Sequence, residues 1–169
     1  VTAYAALLRA VNVAGTGKLA MADLRAMGAA CGFTNVRTFI ASGNLLLASD
    51  LGEAAIIERL TARLDAHMGR PSQAFLRSAA ELAAVVAADP FPDAHPSRHL
   101  VYFHAAAPAA DLIARCTGRQ DERLALRGRE LYVDYGAGIR ITKLKIPGKL
   151  THTARSINSV RRMAALLAG

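Results

Sequence analysis

After Asp134 the chain carries Arg140, Lys143, Lys145, Lys149, Arg155, Arg161 and Arg162 and no acid at all. Lys143, Lys145 and Lys149 are three of the four lysines in the protein, set within seven positions of a chain that otherwise uses arginine. Cations gathered just ahead of a helix favour an anion, because a helix N-terminus offers unsatisfied N–H groups and a positive half-charge. The spacing of Val160, Met163, Ala164 and Leu167 predicts that helix, with Thr153 or Ser156 as its cap and Arg155 and Asn158 in or near its first turn. The candidate phosphate-binding set is therefore Lys143, Lys145, Lys149, Thr153, Arg155 and Asn158. The competing account is a solvated cationic face, with Arg161 and Arg162 offsetting the negative end of the helix dipole.

A second polar cluster lies near the start of the chain. Arg9 and Asn12 follow a short apolar segment, Lys18 follows Gly15 and Gly17, and Ser42, Gly43 and Asn44 form a turn-rich triplet. In a split β-α-β arrangement the end of the first strand lies beside the start of the third. That brings Arg9, Asn12, Lys18, Ser42 and Asn44 to one sheet edge, where polar side chains and freed backbone N–H groups favour an anion. The alternative is that Asn and Ser there satisfy turn backbone.

Catalytic signatures are absent. The chain has no Gly-x-Ser-x-Gly, P-loop or Gly-x-Gly-x-x-Gly, and Gly15-Thr16-Gly17-Lys18 lacks both the spacer and the hydroxyl of a phosphate loop. His99 and His104 have opposite strand parity, which argues against a shared metal. Asp111, Asp121 and Asp134 read as caps and surface charges. His152 is the one titratable group beside the basic tail, and neighbouring cations disfavour its charged form, leaving a neutral imidazole as a candidate base. Cys31 and Cys116, 85 positions apart, have no metal-like spacing and read as buried thiols. No metal and no cofactor is expected.

The elements that must position these residues are legible in outline. Thr2 to Arg9 reads as a buried strand. Met21, Leu24, Met27, Gly28 and Cys31 recur at helical spacing up to Gly32. Val36–Ala41 and Leu45–Ala48 flank the Ser42 turn as a hairpin. Asp50 and Glu53 resemble a capping box before a helix with Ile56, Ile57, Leu60 and Leu64 on one face, and Ala74–Arg77 is a further strand. Ser78 and Glu81 cap a connecting helix through Leu82, Val85 and Val86, which Asp89-Pro90-Phe91-Pro92 breaks. The second half echoes the first: strand His99–His104, a helix from Pro108 through Leu112, Ile113 and Cys116, hairpin Leu124–Arg127 with Glu130–Tyr135, and the final helix. This order predicts an α+β fold of two fused ferredoxin-like lobes with mainly antiparallel sheets. The second lobe lacks its last strand in this reading. The lobes span 1–88 and 98–169, joined by 89–97 within one domain of 169 residues.

Arg9-Ala10-Val11-Asn12-Val13, then Met21-x-x-Leu24, Gly32-Phe33, Val36-x-Thr38 and Ser42-Gly43-Asn44 together resemble the domain-of-unknown-function 1697 family of small bacterial proteins. The Asp89-Pro90-Phe91 break and the tail Thr153-Ala154-Arg155-Ser156-Ile157-Asn158-Ser159 fit the same pattern. That pattern has Gly at position 10 and Asn and Thr where Ser156 and Ser159 stand here. The resemblance implies an intracellular protein of two ferredoxin-like halves and implies no activity.

Composition bounds the function. The net charge of +8 is local, since residues 1–134 carry 14 basic and 13 acidic side chains while 135–169 carry seven and none. No 18-residue apolar window exists, so no membrane partner is expected. Val1-Thr2-Ala3-Tyr4 shows no secretory signal, and unpaired thiols fit a reducing cytoplasm. With 5% aromatic residues, no Trp, and Tyr4, Phe39, Tyr102 and Phe103 out of any stacking motif, nucleic acid is the weaker partner. The expected function is a binding module for a small anionic or phosphorylated ligand. The alternatives are an enzyme acting on a phosphorylated small molecule and a structural, self-associating protein. The oligomeric state is open.

Overall fold

The computed structural model describes residues 1–9, 19–39 and 43–169. Asn12, Lys18 and Ser42, three members of the first polar cluster, lie outside the described residues. The chain divides into two compact units, Val1–Leu82 with Met163–Gly169, and Ala83–Arg162. The division falls at Leu82/Ala83, so the joint expected at 89–97 lies within the second unit.

The first unit runs β1 (Thr2–Arg9), α1 (Met21–Ala30), β2 (Thr34–Thr38), β3 (Asn44–Ser49), α2 (Glu53–Met68) and β4 (Gln73–Ser78). Its sheet order is β2-β3-β1-β4, antiparallel at every pairing, which is the ferredoxin-like order. One sheet face buries Ala6, Leu8, Leu45, Leu47, Ala74 and Leu76 beneath Leu24 and Met27 of α1 and Ile56, Leu60 and Leu64 of α2. The α2 side chains recur at the helical period, as one apolar stripe facing the sheet requires. The Asp50–Glu53 capping box does not form. The helix begins at Glu53, so the cap position falls to the extended Gly52, and Asp50 stands exposed two residues too early. Between β4 and α3 (Ala79–Ala87) the expected reciprocal cap is present, with the Ser78 N–H donating to Glu81 Oε1 at 2.8 Å and the Glu81 N–H to Ser78 Oγ at 3.1 Å.

The second unit holds β5 (His99–His104), α4 (Leu112–Arg115), β6 (Arg123–Arg127), β7 (Glu130–Asp134) and β8 (His152–Ser156), followed by α5 (Ile157–Ala168), which runs on into the first unit's share of the chain. The sheet order β6-β7-β5-β8 repeats the first. Two expectations are corrected. The last strand exists: all of β8 pairs with β5, from Leu100↔Ser156 to His104↔His152. What the second half lacks is the helix before it. Residues 135–151 contain Gly136, Gly138, Pro147 and Gly148, which break helical geometry, and form only two single 3-10 turns, Ile139–Ile141 and Lys149–Thr151. The helix expected from Pro108 is likewise a single turn, because Cys116 is already extended and Thr117 exchanges both backbone hydrogen bonds with Lys145, at 2.8 and 3.1 Å.

Among the described residues no helix is long and apolar enough to cross a membrane.

Candidate functional site

Setting Ser78 against Ser156, each of which accepts from the N–H three residues on, brings the two ladders into one register. Ala6, Leu8 and Ala74 of the first sheet then correspond to Tyr102, His104 and His152 of the second. Three small or apolar positions on the covered face have become a phenol and two imidazoles. The Tyr102 hydroxyl meets that of Tyr135, and His152 packs edge-on to Tyr102 (5.0 Å between ring centres) and against His104 (5.2 Å). Burial, followed by the Tyr135 hydroxyl, pushes the Tyr102 phenol far above its ordinary range, so it stays neutral. Burial also raises the Cys116 thiol, with Arg119 and Arg115 partly opposing it.

Over this face, where the first half has α2, runs the basic segment. Its side chains alternate: Leu144 and Ile146 pack into the cluster with Leu112, Leu131, Val133 and Tyr135, while Ile141, Lys143 and Lys145 are exposed. The segment is fixed at several points. Thr117 bridges Lys145, the Ala137 N–H donates to Asp121 Oδ2 at 3.0 Å, and the Thr142 hydroxyl donates to Glu122 Oε2. Glu122 also accepts the Gln120 N–H at 2.6 Å, and these two donors hold its carboxyl below the ordinary range. Gly118 takes φ +72°, and a Cβ there would overlap the Lys143 carbonyl. Among the described residues Lys143 and Lys145 form no ion pair, and both side chains are exposed.

The sequence signature described as "Protein of unknown function (DUF1697)" matches residues 1–132. The chain belongs to the DUF1697 family. A solved structure described as that of the conserved bacterial protein SP0830 from Streptococcus pneumoniae is similar to it, with a TM-score of 0.81, 23% identity and coverage of 98% of each chain. That likeness carries the fold. Among proteins with curated descriptions none matches.

In this DUF1697 chain the residues expected to form one tail site are divided. Lys143, Lys145 and Lys149 are exposed on the irregular segment, and Asn158 is exposed in the first turn of α5, accepting from Arg161 at 3.5 Å. Thr153 and Arg155 are buried in β8, and their partners Phe103 and Val101 place them on the sheet face opposite Tyr102. Arg155 Nη1 donates to Thr153 Oγ1 and to the Ala154 carbonyl, each at 2.8 Å, and burial lowers its pKa to about 10, which leaves it cationic at neutral pH. Arg77, its counterpart in β4, is buried too and donates to the Leu76 carbonyl at 2.9 Å. An arginine that recurs at the same place in both halves belongs to the shared framework.

At the first cluster, Leu7↔Asn44 pairing confirms that the end of β1 adjoins the start of β3. Asn44 is fully buried, and its amide donates to the Phe39 carbonyl at 2.9 Å, closing the β2–β3 connection. Arg9 reaches Gln73 at 3.4 Å. Of the candidate bases, Asp134 lies on the Arg155 face, since His99 pairs with it and shares the parity of Val101. Burial pushes its carboxyl up, but the Gly136 N–H and Arg123, at 2.7 Å, bring it below the ordinary range. Sequence reasoning passed over Tyr102, His104 and Tyr135. The signal was the i, i+2 pair Tyr102 and His104, polar where β1 has Ala6 and Leu8.

Proposed function

We propose that the protein is a binding module for a small anionic, phosphate-bearing ligand, held by Lys143, Lys145 and Lys149. The observation that carries this reading is the braced segment itself: it is tied down at the Ala137 N–H, the Thr142 hydroxyl and the Lys145 backbone while, among the described residues, the exposed Lys143 and Lys145 form no ion pair. Cations positioned by a fixed backbone lose less conformational freedom on binding than cations on a floppy tail. Thr153 and Arg155 are left out of the set, because the sheet lies between them and the lysines. Binding is favoured over turnover because Asp134, one of the two candidate bases, is held in an ion pair with Arg123.

The test is a thermal-shift screen against inorganic phosphate, nucleotides, phosphosugars and polyanions. The expected result is a salt-sensitive rise in melting temperature that disappears in Lys143→Ala/Lys145→Ala/Lys149→Ala and persists in Asn158→Ala. A hit that survives the triple substitution overturns the reading, as does the absence of any hit at low salt.

A further inference from the structure

Large apolar side chains are normally hidden or scattered singly over a surface. Among the described residues the exposed ones are Val1, Ile139, Ile141, Leu150 and Leu166, and three of these five fall within the twelve residues 139–150. Ile139 is 41% exposed, Ile141 67% and Leu150 62%. They alternate with Arg140, Lys143, Lys145 and Lys149, all exposed, in the stretch that has no acid. Leu144 and Ile146 show that this segment can bury aliphatic side chains against its own sheet, yet Ile141 and Leu150 stand away from it.

From this arrangement we infer that residues 139–150 form a docking surface for an anionic phospholipid bilayer, the phosphate of the proposed function being that of a lipid headgroup. The inference rests on the reading of the lysines as the anion site and names the source of the anion. Charge and composition select the partner. Protein–protein interfaces are depleted in lysine and anchored by aromatic residues and arginine, whereas this patch has three lysines to the single Arg140, three exposed aliphatic side chains and no aromatic ring. Lysines beside protruding Ile and Leu are the composition of an interfacial contact, in which cations meet headgroup phosphates and aliphatic tips enter the acyl boundary. The absence of a spanning stretch does not bear on it, since a surface contact needs none. The fixed backbone matters here too: Thr117–Lys145 and Glu122–Thr142 hold the segment so that its lysines and Ile141 present together.

The experiment is co-sedimentation of the full chain with phosphatidylcholine vesicles, with and without phosphatidylserine, at low and high salt. It is run beside a thermal-shift titration with inorganic phosphate. The expected result is capture only by the phosphatidylserine vesicles, released at high salt, and weakened roughly a hundredfold in Lys143→Ala/Lys145→Ala/Lys149→Ala. Ile141→Ser/Leu150→Ser should weaken capture by about tenfold or more and leave the phosphate response unchanged. If the protein responds to free phosphate but ignores the vesicles, this inference falls and the binding-module reading stands. If the serine variant is captured as well as the parent, or poly-glutamate competes as well as phosphatidylserine, the bilayer assignment is overturned. If neither probe binds, both readings fall together.

Discussion

The two halves build the same four-stranded sheet in the same order and then cover it differently. In the first, α2 lays Ile56, Leu60 and Leu64 on Ala6, Leu8 and Ala74, and the result is an apolar core. In the second, the matching sheet positions are Tyr102, His104 and His152, and the cover is an irregular strap pinned by Thr117, Asp121 and Glu122. A helix satisfies its own backbone and so needs only an apolar stripe to dock. The strap satisfies part of its own backbone, through Gly138, Thr142 and Thr151, while the Ala137 N–H and both backbone groups of Lys145 are answered from the 117–122 loop. Lys143 and Lys145 stay exposed, while Asp121 takes the Ala137 N–H and Glu122 the Thr142 hydroxyl. On the proposed function, the first half serves stability and the second presents its lysines to the ligand.

The comparison breaks first at α2. Leu60→Ala, at a fully buried position, is expected to destabilise the protein by about 3 kcal/mol. Leu144→Ala, the strap's half-buried counterpart, should cost about 1 kcal/mol. Urea unfolding of both variants reads the gap, and equal losses would mean that the strap is packed as firmly as the helix. Next comes Gly118→Ala. Its left-handed backbone disfavours a side chain, and the added Cβ would meet the Lys143 carbonyl, so the loop and the strap must part locally at a cost of roughly 2 kcal/mol. Amide exchange should rise at Thr117 and Lys145 and stay unchanged in β1 and β3. Faster exchange spread evenly over both sheets would contradict a local tie.

Much of the first half was legible because its signals are local. The helical spacing up to Gly32, the stripe of α2 and the Ser78–Glu81 box each speak within a few residues, and each appears in the structure. The Asp50–Glu53 motif failed through register alone. The second half hid β8 because His152-Thr153-Ala154-Arg155-Ser156 alternates nothing apolar: both of its faces are polar, and only pairing with β5, some fifty residues earlier, makes it a strand. Thr153 and Arg155 therefore read as a helix cap and a first-turn cation when they are buried strand residues. The lysines were visible as a cluster, whereas the loop that braces them lies some twenty residues earlier and two of its ties, at Ala137 and Lys145, run to backbone, which no side-chain pattern announces.

Glu122 gives a smaller effect with a defined pH dependence. Its carboxyl is held below the ordinary range by the Gln120 N–H and the Thr142 hydroxyl. A group lowered in the folded state contributes stability that is complete above its unfolded value and is lost as the pH falls through the folded one. Glu122→Gln should thus cost about 1 kcal/mol at neutral pH, with the difference from the parent shrinking as the solution is acidified through and below the carboxylate range. Unfolding midpoints across that range, with amide exchange at residues 137–146, check both the size and the direction. A gap that widens in acid would reverse the sign and remove Glu122 as the strap's anchor.

The smallest expected effect on folding divides the halves most sharply. Lys143 and Lys145 are exposed and, among the described residues, out of ion pairs, so Lys143→Ala/Lys145→Ala should shift stability by less than about 0.5 kcal/mol. The same substitution should remove most of the melting-temperature rise produced by an anionic ligand. The side chains beneath α2 should behave oppositely, since removing one lowers stability in proportion to what it buried. A double variant that unfolds markedly earlier without ligand would place the lysines among the strap's own supports, and the division between a half that stabilises and a half that presents would not hold.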